Sequence, residues 1–271
     1  MTDEHPEPSH RHSKSEAEAG SPPSAASALE IPQPSERLLS YLGTANGHKA
    51  LSWIIDYFDA KLEGKQHIPR EGGALIVSNH ALFALDTAVL AALIIRDLGR
   101  NPRFLADRKL WEIPGLHQFI TAIGALPGEP IAAVELLRRG ELVVVYPGGV
   151  DDSLKLTGQR YQLQWKSRAG FARVALRAQA PIIPVVGLGI DEMYAVPARE
   201  HLLGRRIFGS TRYDLPFFFG RFGTVLPRPV EQTYIALPPI TALGDPNSPD
   251  DVERTRFATY EAIESRLRLV R

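Results

Sequence analysis

Ala74-Leu75-Ile76-Val77-Ser78-Asn79-His80-Ala81-Leu82-Phe83-Ala84-Leu85-Asp86 contains a short apolar run, a polar stop and the start of a longer apolar-rich segment. Four apolar residues in a row with no polar alternation read as a strand buried on both faces, as in a parallel sheet. A helix is predicted to follow over about 86–98. The same alternation continues downstream, with strands predicted at 103–106, 142–146 and 182–188 and helices near 116–123, 131–138 and 168–179. A closing helix over 249–270 carries Val252, Phe257, Ile263, Leu267 and Leu269. Short buried strands separated by helices give an α/β fold, a central mostly parallel sheet flanked by helices on both faces. Residues 199–240, rich in Pro, Gly and Phe, read as irregular.

The chain has 271 residues, 44% of them apolar, with 31 basic and 31 acidic side chains and no cysteine. That length is ample for one core. A net charge of zero supplies no global field to attract nucleic acid or an anionic surface, so any such attraction must be local. Without cysteine there are no disulfides, no thiolate catalysis and no cysteine-ligated metal. The longest apolar run, residues 87–95, is about half of what a membrane-crossing helix needs. The first residues lack the basic-then-apolar order of a secretory signal, which places the expected site of action on the cytoplasmic side. Residues 1–34 hold six prolines and only Met1, Leu29 and Ile31 as large apolar side chains, and read as a disordered tail. His5, His10 and His12 lie in it and are given no role. Over 35–64, Leu38, Leu39, Tyr41, Leu42, Leu51, Trp53, Ile54, Ile55, Tyr57 and Phe58 recur at helical spacing, interrupted by Gly43 and Gly47. Two helices or one broken helix result, with an apolar face that covers the core or lies on lipid.

In open α/β sheets ligands sit beyond the carboxyl ends of the strands. His80 follows the first buried strand, and Asp86 stands close enough to orient its ring and stabilise an imidazolium if the loop brings the two within about 3 Å. The bland alternative is a histidine and a helix-capping aspartate that never meet. The second candidate place is Tyr146-Pro147-Gly148-Gly149, after the strand Val143-Val144-Val145. Paired glycines let backbone amides approach a ligand, yet they also serve as ordinary turn residues.

Taken together, these segments resemble the lysophospholipid and glycerolipid acyltransferase superfamily, the PlsC-like fold, over about residues 60–240. His80 and Asp86, introduced by Asn79, match its first block. Phe104-Leu105-Ala106-Asp107-Arg108 and residues 114–124, ending in Gly124, resemble its second region. Tyr146-Pro147-Gly148-Gly149 resembles the third block, and Ala180-Pro181-Ile182-Ile183-Pro184-Val185 the fourth. The resemblance makes 65–271 an acyltransferase domain behind the tail (1–34) and the helical segment (35–64). It implies His80 and Asp86 as catalytic residues, with substrate contacts at Asn79, Phe83, Arg108, Gly124, Tyr146, Pro147, Gly148 and Gly149. Lys166 and Arg168 would meet phosphates of the donor, or simply start a surface helix.

Three departures from the family pattern narrow the reading. Five residues, Ala81 to Leu85, separate His80 from Asp86 where the family has four, and one added helical residue would turn Asp86 by about 100°. His80 must therefore sit in a pre-helical loop. Gly148 and Val150 stand where the third block carries Glu and Arg. No arginine occurs in Ala125-Leu126-Pro127-Gly128-Glu129-Pro130, where the family places one for the acceptor's phosphate. The chain thereby resembles the branch related to monoacylglycerol and diacylglycerol acyltransferases and phytyl ester synthases, which shares a stretch like Tyr161-x-Leu163-x-Trp165-Lys166-x-Arg168-x-Gly170-Phe171. The resemblance implies direct transfer of a fatty acyl group from acyl-CoA or an acyl carrier protein to a neutral lipid hydroxyl, with no cofactor or metal. The enzyme would sit peripherally on a membrane. Six arginines against Glu200 and Asp214 over 199–228, interleaved with Phe208, Phe217, Phe218, Phe219 and Phe222, would dock on headgroups, hold CoA phosphates, or form a solvated loop. A phosphorylated acceptor, thioester hydrolysis, and a non-catalytic lipid-binding module are the competing readings. No G-x-S-x-G elbow supports a serine esterase, and a His80–Asp86 separation beyond about 6 Å would favour the non-catalytic one.

Overall fold

A computed structural model describes residues 31–112, 116–200 and 215–271. Its centre is the strand β2 (Ala74–Ser78), every residue of which is buried. On one side β2 pairs in parallel with β5 (Leu142–Val145), and beyond it stand β3 (Arg103–Ala106) and β4 (Ala125–Pro127). On the other side lies β6 (Ile182–Leu188), also parallel. Next to β6 comes β9 (Thr233–Ala236), which runs antiparallel to it, and then β1 (Lys61–Glu63), parallel to β9. The sheet is thus mostly parallel, with strand order β1-β9-β6-β2-β5-β3-β4.

Successive residues of the central strands feed opposite cores, as the period of two requires. Ala74, Ile76, Leu142, Val144, Ile183 and Val185 face one side. There they meet Ile55 of α2 (Ala45–Tyr57) and Val89, Leu90, Leu93 and Ile94 of α3 (Leu85–Leu98). Leu75, Val77, Val143, Ile182 and Val186 face the other. They pack under Leu136 of α5 (Pro130–Arg138), Val174 and Leu176 of α7 (Gly170–Ala178), and Ile263 and Leu267 of α8 (Pro249–Leu267). After β2 the chain enters the α3 layer. After β5 it passes through the short α6 (Gly149–Ser153) to α7 on the opposite face. Such a divergence opens a crevice between neighbouring strand ends, and His80 stands at it.

The strands and helices predicted from residue 74 to 188 are present, with ends shifted by a residue or two. α4 (Leu116–Ala122) stands where the helix near 116–123 was expected. Three expectations are corrected. Residues 61–63, assigned to the helical segment, form β1 on the sheet edge. Residues 199–240 are not all irregular: they contain β9, β8 (Leu215–Phe219) and the end of β7 (Ala195–Glu200), β7 and β8 forming a separate antiparallel pair. Residues 31–34 pack on the domain, because Ile31 is buried in the second core and the carbonyl of Pro32 accepts a hydrogen bond from the buried Arg103. The remainder of the expected tail, 1–30, lies outside the described residues. The N-terminal helices are two, α1 (Glu36–Leu42) and α2, and the break falls at Gly43–Thr44, where Thr44 caps α2 through its side chain.

Candidate active site

Leaving β2, the chain makes a 3-10 turn at Leu82–Ala84 before α3 begins at Leu85. Phe83 and Ala84 both take left-handed backbone angles, with φ of 61° and 54°, a conformation that costs a residue with a Cβ roughly 1–2 kcal/mol. Buried Leu82 anchors the turn. This reversal absorbs the fifth spacer residue: His80 Nδ1 lies 2.9 Å from Asp86 Oδ2. The separation is far inside the limit set for the non-catalytic reading. Asp86 is 1% exposed and the His80 side chain 14%. Among the described residues Nε2 of His80 and Oδ1 of Asp86 have no hydrogen-bond partner. A carboxylate removed from water with one polar partner acts strongly on any positive charge that forms there.

Tyr146, from the end of β5, stacks on the imidazole with ring centroids 4.1 Å apart. Burial, aided by the negative charge of Asp86, holds its phenol well above the ordinary tyrosine pKa, so the ring stays neutral. Thr87 Oγ1 donates to its oxygen at 3.0 Å. Tyr234 places its hydroxyl 3.1 Å from the backbone oxygen of Asp86, pinning the first turn of α3. Tyr146, Thr87 and Tyr234 thus fix the ring and its carboxylate.

The turn after Tyr146 is tight. The amide of Gly149 donates to Tyr146 O at 2.9 Å, so that donor is committed to the turn. A Cβ on Gly148 would come within 2.4 Å of the Asp152 side chain, hence the glycine. Buried Pro147 and Gly148 present their carbonyls to Arg168, whose Nη1 is 2.8 Å from Gly148 O. Arg168 and Lys166 both pair with Asp151. Burial opposes ionisation of Asp151, but the two cations outweigh it and leave its pKa lowered. Underneath, Lys155 Nζ lies 3.2 Å from Asp191 Oδ1 and 3.7 Å from Asp152 Oδ1, all three side chains buried. Burial pulls Lys155 down, the two carboxylates outweigh it, and its pKa is raised. This cluster ties the loop after β5 to the loop after β6.

The residues expected at the site are therefore divided. His80, Asp86, Tyr146, Pro147, Gly148 and Gly149 come together, and Phe83 stands exposed on the spacer. Gly124 does not join them: it precedes β4 and accepts from Arg103 Nε, at the amino edge of the parallel sheet, opposite to His80. Asn79 is buried, and its amide exchanges two hydrogen bonds, 2.9 and 2.8 Å, with the backbone of Gly187, so it bolts β2 to β6 rather than facing a substrate. Arg168 supports the Pro-Gly-Gly turn from behind, a positioning role. Arg108 stands at the carboxyl end of β3 and pairs at 2.6 Å with Glu129. The expectation for residues 201–214, including Phe208 and three of the arginines, lies outside the described residues.

The acyltransferase family matches residues 59–187, from just before β1 to the penultimate residue of β6. Over these residues the chain is similar to an acyltransferase domain. Enzymes named "DGAT1/2-independent enzyme synthesizing storage lipids" from Homo sapiens and Mus musculus are 30% and 31% identical to the chain over 231 residues, 83% of its length. The chain spans 65% and 64% of those relatives. An uncharacterized protein of Mycobacterium tuberculosis is 33% identical over 172 residues, 62% of this chain and 48% of that protein. Among solved structures, the 1-acyl-sn-glycerophosphate acyltransferase PlsC of Thermotoga maritima superposes with a TM-score of 0.52. The alignment covers 83% of this chain and 76% of that one at 18% identity, a likeness of fold. No helix among the described residues is long and apolar enough to cross a membrane.

Within the matched residues, sequence reasoning missed the part played by Thr87, and beyond them those of Asp191 and Tyr234. Thr87 sits next to Asp86 and could have been noticed. Tyr234 and Asp191 are brought in by β9 and by the loop after β6, and nothing in their local sequence marks them.

Proposed function

We propose that the chain transfers a fatty acyl group from a thioester, acyl-CoA or acyl carrier protein, to the hydroxyl of a neutral lipid alcohol such as a glyceride. The observation that carries this reading is the 2.9 Å contact between His80 Nδ1 and buried Asp86 at the sheet's carboxyl edge, which leaves Nε2 to act as base. Nε2 takes the acceptor's proton as its oxygen attacks the thioester carbonyl. Asp86 holds the tautomer and stabilises the imidazolium. The tetrahedral oxyanion then collapses, breaking the C–S bond, and the leaving thiolate recovers the proton from His80. Neither an acyl-enzyme nor a resident cofactor takes part. The Gly148 amide, with those of Val150 and Asp151 in the first turn of α6, is the backbone nearest in sequence to the dyad's stacking partner and is our candidate for stabilising the oxyanion.

A neutral acceptor is supported by the lack of arginine over 125–130 and by the pairing of Arg108 with Glu129. The relatives named for storage-lipid synthesis point the same way. The cavity behind the dyad loop, lined by Leu82, Lys155, Asp191 and Tyr194, holds about 20 Å³, room for one water, so the acyl chain would lie along the apolar surface outside it. We place the enzyme peripherally on the cytoplasmic face of a membrane. The test incubates purified protein with labelled acyl-CoA and a panel of neutral and phosphorylated acceptors. Formation of a neutral ester that His80→Ala abolishes is expected. Acylation of lysophosphatidate alone would overturn the acceptor class, and free fatty acid formed without acceptor consumption would make the enzyme a hydrolase.

A further inference from the structure

The turn after β8, residues 220–226, is built to hold apolar side chains in water. Its backbone is closed on itself, with Gly220 N donating to Thr224 O and Arg221 N to Leu226 O, each at 2.7 Å. Phe222 at its apex is 85% exposed and takes φ of 56°, an unfavourable angle for an aromatic residue. Val225 and Leu226 are exposed beside it. A strained, preformed turn that presents three large apolar side chains contributes nothing to the core.

The exposed apolar surface continues in two directions. Along β8, Phe217 and Phe219 face solvent while Phe218 points inward. Phe218 packs edge-on against Phe83 at 4.7 Å, and Phe83 belongs to the spacer between His80 and Asp86. Towards α2, Tyr57 Oη donates to Pro227 O at 2.7 Å, and Trp53, 67% exposed, stacks on Tyr57. Over β8 and the turn the charge has one sign. Residues 215–230 contain Arg221 and Arg228 and neither Asp nor Glu, and the Arg221 guanidinium lies 4.8 Å from the Phe222 ring centre. Aromatic side chains with arginines around them match the interfacial region of a bilayer with anionic headgroups.

We propose that β8 and the turn 220–226 dock the enzyme on a bilayer containing anionic phospholipid, with Phe222, Val225 and Leu226 entering the headgroup boundary. This rests on the lipid-acceptor reading and gives the route by which acceptor and acyl chain reach His80, along Phe83. The preformed turn lowers the ordering cost of docking, and Arg221 and Arg228 supply attraction that salt weakens.

The test measures sedimentation of the full chain with vesicles of phosphatidylcholine, alone or mixed with phosphatidylglycerol. The native chain is expected to bind the mixed vesicles more tightly, and less so as salt is raised. Phe222→Ser with Leu226→Ser should lower partitioning about tenfold or more, since each side chain loses its apolar transfer. Leu243→Ser, at a leucine elsewhere that is more exposed (72%) than Leu226 (57%), should leave it unchanged. His80→Ala should bind vesicles as the native chain does, which separates docking from chemistry: a native chain that docks yet transfers no acyl group counts against the acyl-transfer reading alone. Native binding by the Phe222/Leu226 variant would overturn the proposal. So would an equal loss in the Leu243 variant, or a native dimer that the Phe222/Leu226 substitutions dissolve without affecting vesicle binding.

Discussion

Replacing Asp86 by Asn removes one charge and leaves the shape of a buried side chain. Asp86 Oδ2 is 2.9 Å from His80 Nδ1. With the charges of an imidazolium and a carboxylate about 4 Å apart and an effective dielectric constant near 20, the attraction available in the transition state is roughly 4 kcal/mol. At 1.4 kcal/mol per decade that is about a thousandfold in rate. The asparagine amide also donates where the carboxylate accepted, which favours the tautomer carrying its proton on Nε2, the wrong one for a base. Asp86→Asn is therefore expected to lower kcat about a thousandfold or more, with KM for acyl-CoA nearly unchanged. Release of CoA is followed with a thiol reagent, and the chain contributes no background because it has no cysteine. Thermal unfolding of the same variant supplies the control. A variant within tenfold of native kcat would refute the role given to Asp86, and so would a loss of activity that merely tracks a loss of folded protein.

The left-handed spacer makes a prediction of opposite sign: Ala84→Gly should stabilise the protein by up to about 1 kcal/mol, read as a higher denaturant midpoint, because glycine takes that angle without penalty. Lys155→Met leaves Asp152 and Asp191 buried without their cation and should cost about 3–5 kcal/mol, and adding Asp152→Asn should recover part of it; equal stability of single and double variants would count against the cluster. Asp151, whose pKa is lowered from 3.8, contributes stability above the unfolded value that is lost as pH falls through the folded one. The stability difference between native chain and Asp151→Asn should then be full at neutral pH, begin to shrink below about pH 4 and vanish only below the folded pKa; a difference that does not shrink as acid is added would refute the pairing with Arg168 and Lys166.

Much of the fold was legible because buried parallel strands announce themselves as unbroken apolar runs, and β2, β5 and β6 are such runs. Strands β1 and β4 are three residues long, too short for any period to show. β7, β8 and β9 lie among prolines, glycines and phenylalanines that mimic loop composition. The site divides the same way. His80, Asp86 and the Pro-Gly-Gly turn carry local motifs, whereas Asp191 and Tyr234 arrive from distant parts of the chain. Asn79 and Gly124 matched a pattern, yet one is turned to the neighbouring strand and the other lies at the opposite edge of the sheet.

By itself the amino-acid order determined the α/β layering, the position of a histidine at the end of the central strand, and an aspartate six residues on, because each is a property of a short window. Whether that pair touches could be decided only by the folded chain. Two consecutive left-handed residues take up the extra length, and they hold that shape because Leu82 is buried beneath them and Tyr234, from β9, fixes the helix that follows.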